Sequence, residues 1–163
     1  MTNIVIAGLG GQGVLKASDI VADVAFRAGL DVKKSEIHGM SQRGGSVSSD
    51  VRFGESVFSP MVPAGEADYL VVLSPDQVEP NRWLLGPGGT LISPSLIPEH
   101  SLRDKRSLNV ALLGGLSASL PFPESSWQEA LKANLAPKLH ALNLQAFAIG
   151  RSAAQSHLSV SNP

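Results

Sequence analysis

The first forty residues alternate between short apolar runs and one amphipathic stretch. Residues 4–7 are uniformly apolar, as expected for a strand that is buried on both faces of a parallel sheet. After a glycine-rich turn, apolar residues recur at helical spacing from Val14 to Ala28, and Gly29 is typical of a helix end. Residues 32–37 then favour a second strand. The pattern predicts a strand–helix–strand opening in an α/β protein.

The chain departs from a simple α/β alternation after the second predicted strand. Two extended stretches, residues 46–52 and 56–59, flank a turn at Gly54. Such a pair of stretches around a glycine favours a β-hairpin. We therefore predict an antiparallel hairpin insertion near residues 46–59, within a Rossmann-like, mostly parallel sheet with helices on both faces.

The second half of the chain contains two more predicted strands, at residues 69–73 and 90–92, and then a helical C-terminal part. Between the two strands, Ser74 begins a serine–proline–x–glutamine pattern that is typical of a capped helix. Pro80 should shorten this helix, and the glycine-rich residues 86–89 should end it. The C-terminal part is predicted to contain helices over residues 109–120, 124–136 and 137–154.

Composition limits the classes of function. A chain of 163 residues is the usual size of one domain, which we place at residues 1–154, with a frayed tail at residues 155–163. The formal net charge is −1 and no basic stripe is present, so nucleic-acid binding is not expected. Charged residues make up 17% of the chain, against roughly 25% in an ordinary domain. This shortage favours a surface that a partner partly covers.

Cysteine is absent, so this chain can form no disulfide and offers no thiolate to an iron–sulfur cluster. The N-terminus enters a strand without a signal-peptide pattern, and no apolar run approaches the roughly 20 residues of a membrane span. We expect a cytoplasmic protein that does not associate with a membrane. His100, His140 and His157 lack the spacing of metal ligands, so no metal site is predicted.

The turn after the first strand contains Gly8, Gly10 and Gly13 in a GxGxxG pattern. Between a strand and a helix, such a pattern fits three interpretations. It can bind a dinucleotide, with Glu36 as the acidic residue that such a site requires about 20 positions further on. It can bind another anion or a cofactor held by a partner. It can also serve only the close packing of strand and helix. Gln12 adds a side-chain donor to the turn.

Polar side chains are dense in the loop after the second strand, residues 38–45. His38, Ser41, Gln42 and Arg43 supply an imidazole, a hydroxyl, an amide and a guanidinium on a glycine-rich backbone. Ligands of open α/β sheets bind at this end of the strands, and Gly44–Gly45 could form a nest of N–H groups. The alternatives are a plain surface loop, or Arg43 paired with carboxylates of the fold. We favour a binding site or an interface.

The two loops together, GLGGQG at residues 8–13 and HGMSQRGGSV at residues 38–47, resemble the gamma-type domain of the 2-oxoacid:ferredoxin oxidoreductases. The resemblance extends over residues 3–151. Further matches follow in the same order along the chain, at Val51-Arg52, Ser59-Pro60, Glu66-Ala67-Asp68, Asn109, Leu113-Gly114 and the segment from Asn143 to Gly150.

This resemblance implies a subunit, inactive alone, of a complex that catalyses ferredoxin-linked oxidative decarboxylation of a 2-oxoacid to an acyl-CoA. The substrate it suggests is indolepyruvate or another aryl pyruvate. A larger partner subunit would hold thiamine diphosphate and the iron–sulfur clusters, and this chain would hold no cofactor alone. Ferredoxin and coenzyme A would be met through the complex.

The resemblance assigns no catalytic residue to this chain. It implies a cofactor-binding or interface role for the motif positions Gly8, Gly10, Gly11, Gln12, Gly13, His38, Gly39, Ser41, Gln42, Arg43, Gly44 and Gly45.

One departure from the family concerns the connection between Ser95 and Leu108, which is shorter here than in the family. The sheet would then lack an edge element, and a partner would have to cover the edge. A homodimer is one arrangement open to the isolated chain. Two other classes of function compete with the family's, namely a stand-alone Rossmann-like NAD(P)- or flavin-binding oxidoreductase and a purely structural or regulatory module.

Overall fold

The computed structural model describes residues 1–38 and 45–161. Within these residues the chain forms five strands and five α-helices, joined by loops and single turns of 3-10 helix. In chain order the elements are β1 Thr2–Leu9, α1 Val14–Arg27, β2 Asp31–His38, β3 Ser46–Gly54, β4 Ala67–Val72, α2 Val78–Asn81, β5 Leu85–Ile92, α3 Leu108–Ser117, α4 Glu124–Asn134 and α5 His140–Ser161.

The five strands form one mixed sheet in the order β2–β3–β1–β4–β5. Strands β1, β4 and β5 pair in parallel, with Val5 opposite Leu70 and Leu70 opposite Leu91. β3 runs antiparallel to both of its neighbours and separates β1 from β2. The mostly parallel sheet with an antiparallel insertion, expected from the sequence, is confirmed.

The partner of the antiparallel strand differs from the expectation. β3 pairs with β2 along its whole length, from Asp31 opposite Gly54 to His38 opposite Val47, and with β1 on its other edge. Residues 56–59, expected as the second arm of a hairpin, form no strand. The expectation was wrong on this arm because side chains of the sheet bind the backbone of this segment.

The segment 57–62, which we call the strap, lies over one face of the sheet. Asp31 Oδ2 accepts the Val57 N–H and Asp50 Oδ2 accepts the Val62 N–H, each at 2.8 Å. Arg52 Nη1 donates to the carbonyl oxygens of Ser59 and Met61 at 3.0 and 3.1 Å. The bond from Val57, together with Lys33, holds the pKa of Asp31 below its usual value. Burial raises the pKa of Asp50.

The main core lies on the opposite face of the sheet. Apolar side chains of β1, β3 and β4 pack there against α1, α3, α4 and α5, and Trp127 lies between Phe122 and Phe147. Because side chains of a strand alternate between the two faces, Ile4 and Ile6 enter this core and Val5 does not. The four longer helices of the described chain therefore all cover one face.

The strap face carries a smaller cluster. Val5, Leu70 and Val72 contact Val62 of the strap and Val78 of the short α2. Helices on both faces are thus present, but the second face is covered by four helical residues and the strap. The sequence did not predict this asymmetry.

Two local expectations need correction. Ser74 forms no capping bond, and its hydroxyl donates to Asp76, so the segment starts as a 3-10 turn at Pro75–Gln77. The glycines of residues 86–89 belong to β5. A Cβ on Gly86 would lie 2.9 Å from the Gly65 carbonyl oxygen, and a Cβ on Gly89 would lie 2.8 Å from the Ala67 carbonyl oxygen at the start of β4. These glycines allow close strand approach, whereas the sequence suggested a helix end.

The C-terminal helix is longer than expected. α5 continues to Ser161, beyond the predicted domain end at residue 154, so the described part of the tail is helical. No glycine or proline interrupts residues 151–161, and such a sequence has no residue that ends a helix. No helix within residues 1–38 and 45–161 combines the length and the apolar character needed to cross a membrane.

Candidate functional site

The two glycine-rich loops meet at the C-terminal end of β1. The Gly10 N–H donates to the Gly45 carbonyl oxygen at 2.8 Å, which joins the first loop directly to the end of the second. Strand pairing explains the contact, since Leu9 lies opposite Ser46 where β3 begins. The first loop and the end of the second, predicted as separate candidates, therefore lie side by side.

Two glycines of the first loop have backbone conformations that other residues rarely adopt. Gly11 has φ +88° and Gly13 has φ +85°. No atom of residues 1–38 or 45–161 lies within 4 Å of a Cβ placed on Gly11, whereas a Cβ on Gly13 would lie 2.4 Å from Asn109 Nδ2. Glycine is required at residue 13 both by its conformation and by a neighbour on α3.

Gln12 supports the loop from inside. Its Oε1 accepts the Leu9 N–H at 2.7 Å, and a Cβ on Gly8 would lie 2.8 Å from the same oxygen. The sequence predicts that Gln12 adds a side-chain donor to the turn, and this prediction concerns the amide nitrogen. The carbonyl oxygen of the side chain is used within the loop, which explains why Gly8 and Gln12 occur together.

The loop opens into a cleft of about 440 Å³. The first turn of α1 forms one wall and has no side-chain cap and no acidic residue, and Lys16 is exposed there. The N–H groups of such a turn favour polar or anionic groups. The described lining residues are Leu9, Gly10, Gly11, Gly13, Val14, Leu15, Lys16 and Val47, and none of them is acidic.

The first loop and the ends of the second lie within the described chain. His38 is the last residue of β2, opposite Val47, and Gly45 contacts Gly10. The remaining motif positions of the second loop lie outside the described residues; these are Gly39, Ser41, Gln42, Arg43 and Gly44.

Several neighbours of the site were not predicted to be site residues. Val47 and Lys16 line the cleft, and Ser46 Oγ donates to Gln77 Oε1 at 3.0 Å, which ties the start of β3 to the turn after β4. Asn109 contacts Gly13 across 96 positions of sequence. Val47 ends the second motif and Lys16 follows the first, so both positions carried a usable signal. Asn109 was noted as a family match, but no local pattern places it beside the first loop.

The sheet order does not support a dinucleotide interpretation of the first loop. Glu36 was the candidate acidic residue, but β3 lies between its strand and β1. Two strand spacings place the Glu36 backbone roughly 10 Å to the side of β1. The Glu36 carboxylate also faces Lys34 Nζ at 3.5 Å. The geometry of a dinucleotide fingerprint is therefore not met.

A second group of family-like residues lies at the other end of β1. Asn3 Oδ1 accepts from Arg52 Nε at 2.9 Å, and the Asn3 N–H donates to Asp68 Oδ2 at 2.8 Å. Arg52 also holds the carbonyl oxygens of Ser59 and Met61 on the strap. The matches at Arg52, Ser59 and Asp68 thus belong to a structural network remote from the glycine loops.

Residues 3–100 match the model of the pyruvate ferredoxin/flavodoxin oxidoreductase family. The chain belongs to this family, and the resemblance carried by the two loop motifs is confirmed. It is 35% identical to the indolepyruvate oxidoreductase subunit IorB of Thermococcus kodakarensis, over 97% of this chain and 98% of the relative. It is 33% identical to the subunit of the same name from Archaeoglobus fulgidus, over 94% and 96%.

Solved structures show the same fold. The gamma subunit of a keto/oxoacid ferredoxin oxidoreductase from Geobacter sulfurreducens superposes with a TM-score of 0.74 at 21% identity, over 96% of this chain and 99% of that chain. A 2-oxoglutarate:ferredoxin oxidoreductase from Magnetococcus marinus gives a TM-score of 0.79 at 24% identity, over 95% of this chain and 31% of that one. This chain thus corresponds in fold to one part of a larger polypeptide.

The relatives are longer than this chain. The alignment with the Thermococcus kodakarensis subunit runs over 200 positions, whereas this chain has 163 residues. The relative therefore contains residues without a counterpart here. A shortened connection between residues 95 and 108 would produce such a difference.

Proposed function

We propose that this chain is the small subunit of a complex that oxidatively decarboxylates indolepyruvate, or a closely related aryl pyruvate, to an acyl-CoA and reduces ferredoxin. The observation that carries the proposal is the 35% identity to an indolepyruvate oxidoreductase subunit over nearly the full length of both chains. Similarity to subunits of pyruvate/ketoisovalerate oxidoreductases covers less of the chain, 48% for that of Pyrococcus abyssi. A cytoplasmic location is part of the same proposal.

In this proposal the cofactors belong to a larger subunit. The chain has no cysteine, so it cannot hold an iron–sulfur cluster through thiolates. The diphosphate of thiamine diphosphate is usually bound through Mg²⁺, which prefers carboxylate and other oxygen ligands. The described wall of the cleft offers no carboxylate. The described residues of the cleft therefore do not fit either group, and no chemical step is assigned to them.

The joined loops supply the part of the site that this chain contributes. The Gly10–Gly45 bond brings Gly45, the end of the second loop, beside the glycine loop that leads into the open first turn of α1. A cleft with N–H groups, one exposed lysine and no acid suits an anionic group better than a cation. We propose that the cleft faces the larger subunit, and that it completes or gates the site there.

Reconstitution tests the proposal. The chain is expressed together with the proposed larger subunit from the same organism, and ferredoxin reduction is measured with coenzyme A and a panel of indolepyruvate, phenylpyruvate, pyruvate and 2-oxoglutarate. We expect no activity from the chain alone, and the highest kcat/KM of the complex with indolepyruvate. A complex that is most active with pyruvate or 2-oxoglutarate would contradict the substrate, and a fully active large subunit alone would contradict the role of this chain.

Arg43→Ala is the matched variant in the second loop, with Arg27→Ala as its control. Arg27 lies on the exposed side of α1, where it pairs only with Asp23 of its own helix among the described contacts. We expect the kcat/KM of the complex to fall with Arg43→Ala and to stay unchanged with Arg27→Ala. Equal activity of both variants would indicate a purely structural module.

A further inference from the structure

Asn109 is a buried amide in the first turn of α3 that reaches the glycine loop. Its side chain Nδ2 donates to the Gly13 carbonyl oxygen at 3.3 Å, and its Oδ1 accepts the Val110 N–H at 2.9 Å. Only 8% of the residue is exposed. A buried amide needs both kinds of partner, so its two ends are held in one orientation. Asn109 therefore connects α3 to the start of α1.

The carbonyl that Asn109 contacts controls the direction of a peptide group. Gly13 O also accepts the Ala17 N–H at 3.0 Å, the first hydrogen bond of α1. The peptide between Gly13 and Val14 is planar and trans, so its N–H points away from its carbonyl oxygen. Fixing the oxygen with two donors thus directs the Val14 N–H away from the helix, on the side of the loop.

The cleft depends on this peptide. Gly13 and Val14 line the cleft together with Gly10 and Gly11, and Gly10 in turn holds Gly45. A movement of Gly13 would alter the wall of the cleft and the point where the two loops meet. Asn109 is the side chain that limits this movement from outside the loop.

We propose that Asn109 is a positioning residue of the candidate site, which sets the conformation of the glycine loop and acts through it. Its effect on the loop stands on the contacts alone. Its effect on turnover rests on the function proposed above. The competing explanation is that Asn109 only caps the first turn of α3, through its bond to Val110.

Asn109→Asp separates the two explanations. The carboxylate keeps an acceptor for the Val110 N–H and suits a helix start. It loses the donor and places an oxygen against Gly13 O. Asn143→Asp is the matched control, because Asn143 is also buried, at 7% exposure, and donates through Nδ2 to a helix carbonyl, Leu139 O, at 2.9 Å. Asn109→Ser is an uncharged second variant that should still fold.

The first measurement is the two-dimensional amide NMR spectrum of the full chain. Asn109→Asp is expected to shift the amide signals of residues 10–16 while those of the last turn of α4, where Asn134 contacts Asp23 near the far end of α1, stay in place. Asn143→Asp is expected to leave residues 10–16 unchanged. If Asn109→Asp and Asn109→Ser both leave these signals unchanged, the positioning role is overturned.

The second measurement uses the reconstituted complex. KM is determined for each variant, and kcat is calculated per assembled complex. A displacement of about 1 Å in a positioned group can cost about a hundredfold in rate. We therefore expect Asn109→Asp to lower kcat/KM by about tenfold or more without changing the assembly of the complex. Asn143→Asp should stay near wild type. Shifted loop signals with unchanged kcat/KM would overturn the role in turnover. If the wild-type complex turns over no 2-oxoacid, the proposed function fails and the NMR result alone decides the role of Asn109.

Discussion

Gln12 turns its side-chain oxygen onto its own loop, where it accepts the Leu9 N–H at 2.7 Å. A hydrogen bond of this kind contributes about 0.5–1.5 kcal/mol to stability. We therefore expect Gln12→Met to lower the free energy of unfolding by about that amount in urea titrations. Gln12→Glu keeps an acceptor and should stay close to wild type. Equal losses in both variants would show that the bond to Leu9 does not stabilise the loop.

Asp50 gives the strap a dependence on pH. The residue is 5% exposed, and burial raises the pKa of its carboxyl above the ordinary 3.8, although the Val62 N–H lowers the pKa in part. The folded state thus binds the proton more tightly than the unfolded state. The corresponding stabilisation is complete below the unfolded pKa, and it is lost as pH rises through the higher folded pKa.

Asp50→Asn isolates this effect, because its amide oxygen can still accept the Val62 N–H without carrying a charge. We expect the free energy of unfolding of wild type, relative to Asp50→Asn, to fall as the pH is raised from below 3.8 to neutrality. Paired denaturation curves across this range measure the difference. A difference that is constant with pH, or that rises with pH, would contradict the assignment.

At the scale of elements, two helices approach closely through glycine. A Cβ on Gly150 of α5 would lie 1.7 Å from the Ala111 carbonyl oxygen, and a Cβ on Gly114 of α3 would lie 2.1 Å from the Phe147 carbonyl oxygen. Backbone atoms cannot give way as flexible side chains do. The two glycines therefore set the distance between α3 and α5, and with it the position of Asn109 at the start of α3.

Gly150→Ala should be strongly destabilising, although alanine normally favours a helix by about 1 kcal/mol over glycine. Overpacking at a backbone contact costs about 3 kcal/mol, which outweighs this gain and should appear as a lower midpoint in thermal and urea denaturation. Gly29→Ala is the control, since no atom in the described part of the chain lies within 4 Å of its added Cβ, and the strain of φ +86° costs about 1 kcal/mol. A Gly150→Ala variant no less stable than Gly29→Ala would contradict the close contact.

Local sequence patterns predicted the individual helices and strands better than they predicted which strands lie side by side. The uniformly apolar residues 4–7 and the helical spacing from Val14 identify β1 and α1, because both patterns depend on nearby positions alone. The position of β3 between β1 and β2 depends on pairing between distant residues, which no local pattern encodes. Residues 56–59 were expected to be an extended arm, but Asp31 and Arg52 bind the backbone of this segment. The fold class could be predicted, and the strand order could not.

The candidate site could likewise be predicted only in part from the sequence. Both loops are visible in the sequence because glycine and polar residues cluster there. Their contact through Gly10 and Gly45 follows from the pairing of β1 with β3, and Asn109 reaches Gly13 only through the packing of α3. The loops can therefore be identified from the sequence, whereas the contacts that hold them together arise only from the packing of the folded chain.

At the scale of the whole molecule, strand order decides which cofactor the first loop could bind alone. A dinucleotide site needs the strand after the first helix beside β1, so that its acidic residue reaches the ribose. Here β3 occupies that place and Glu36 lies one strand further out. The first loop has the glycine pattern of such a site without the neighbouring strand that completes it.

We therefore expect the purified chain to show no saturable binding of NAD⁺, NADP⁺ or FAD in calorimetric titrations, and Glu36→Ala to change neither this result nor the activity of the reconstituted complex. The positive control is a known dinucleotide-binding domain titrated under the same conditions. Saturable binding that Glu36→Ala abolishes would establish a stand-alone dinucleotide site and contradict the subunit role. Lys34→Ala is the matched control, because Lys34 Nζ lies 3.5 Å from Glu36 Oε1. If Lys34→Ala weakened dinucleotide binding as much as Glu36→Ala, the loss would reflect a change in the β2 surface and not a lost contact with a ribose.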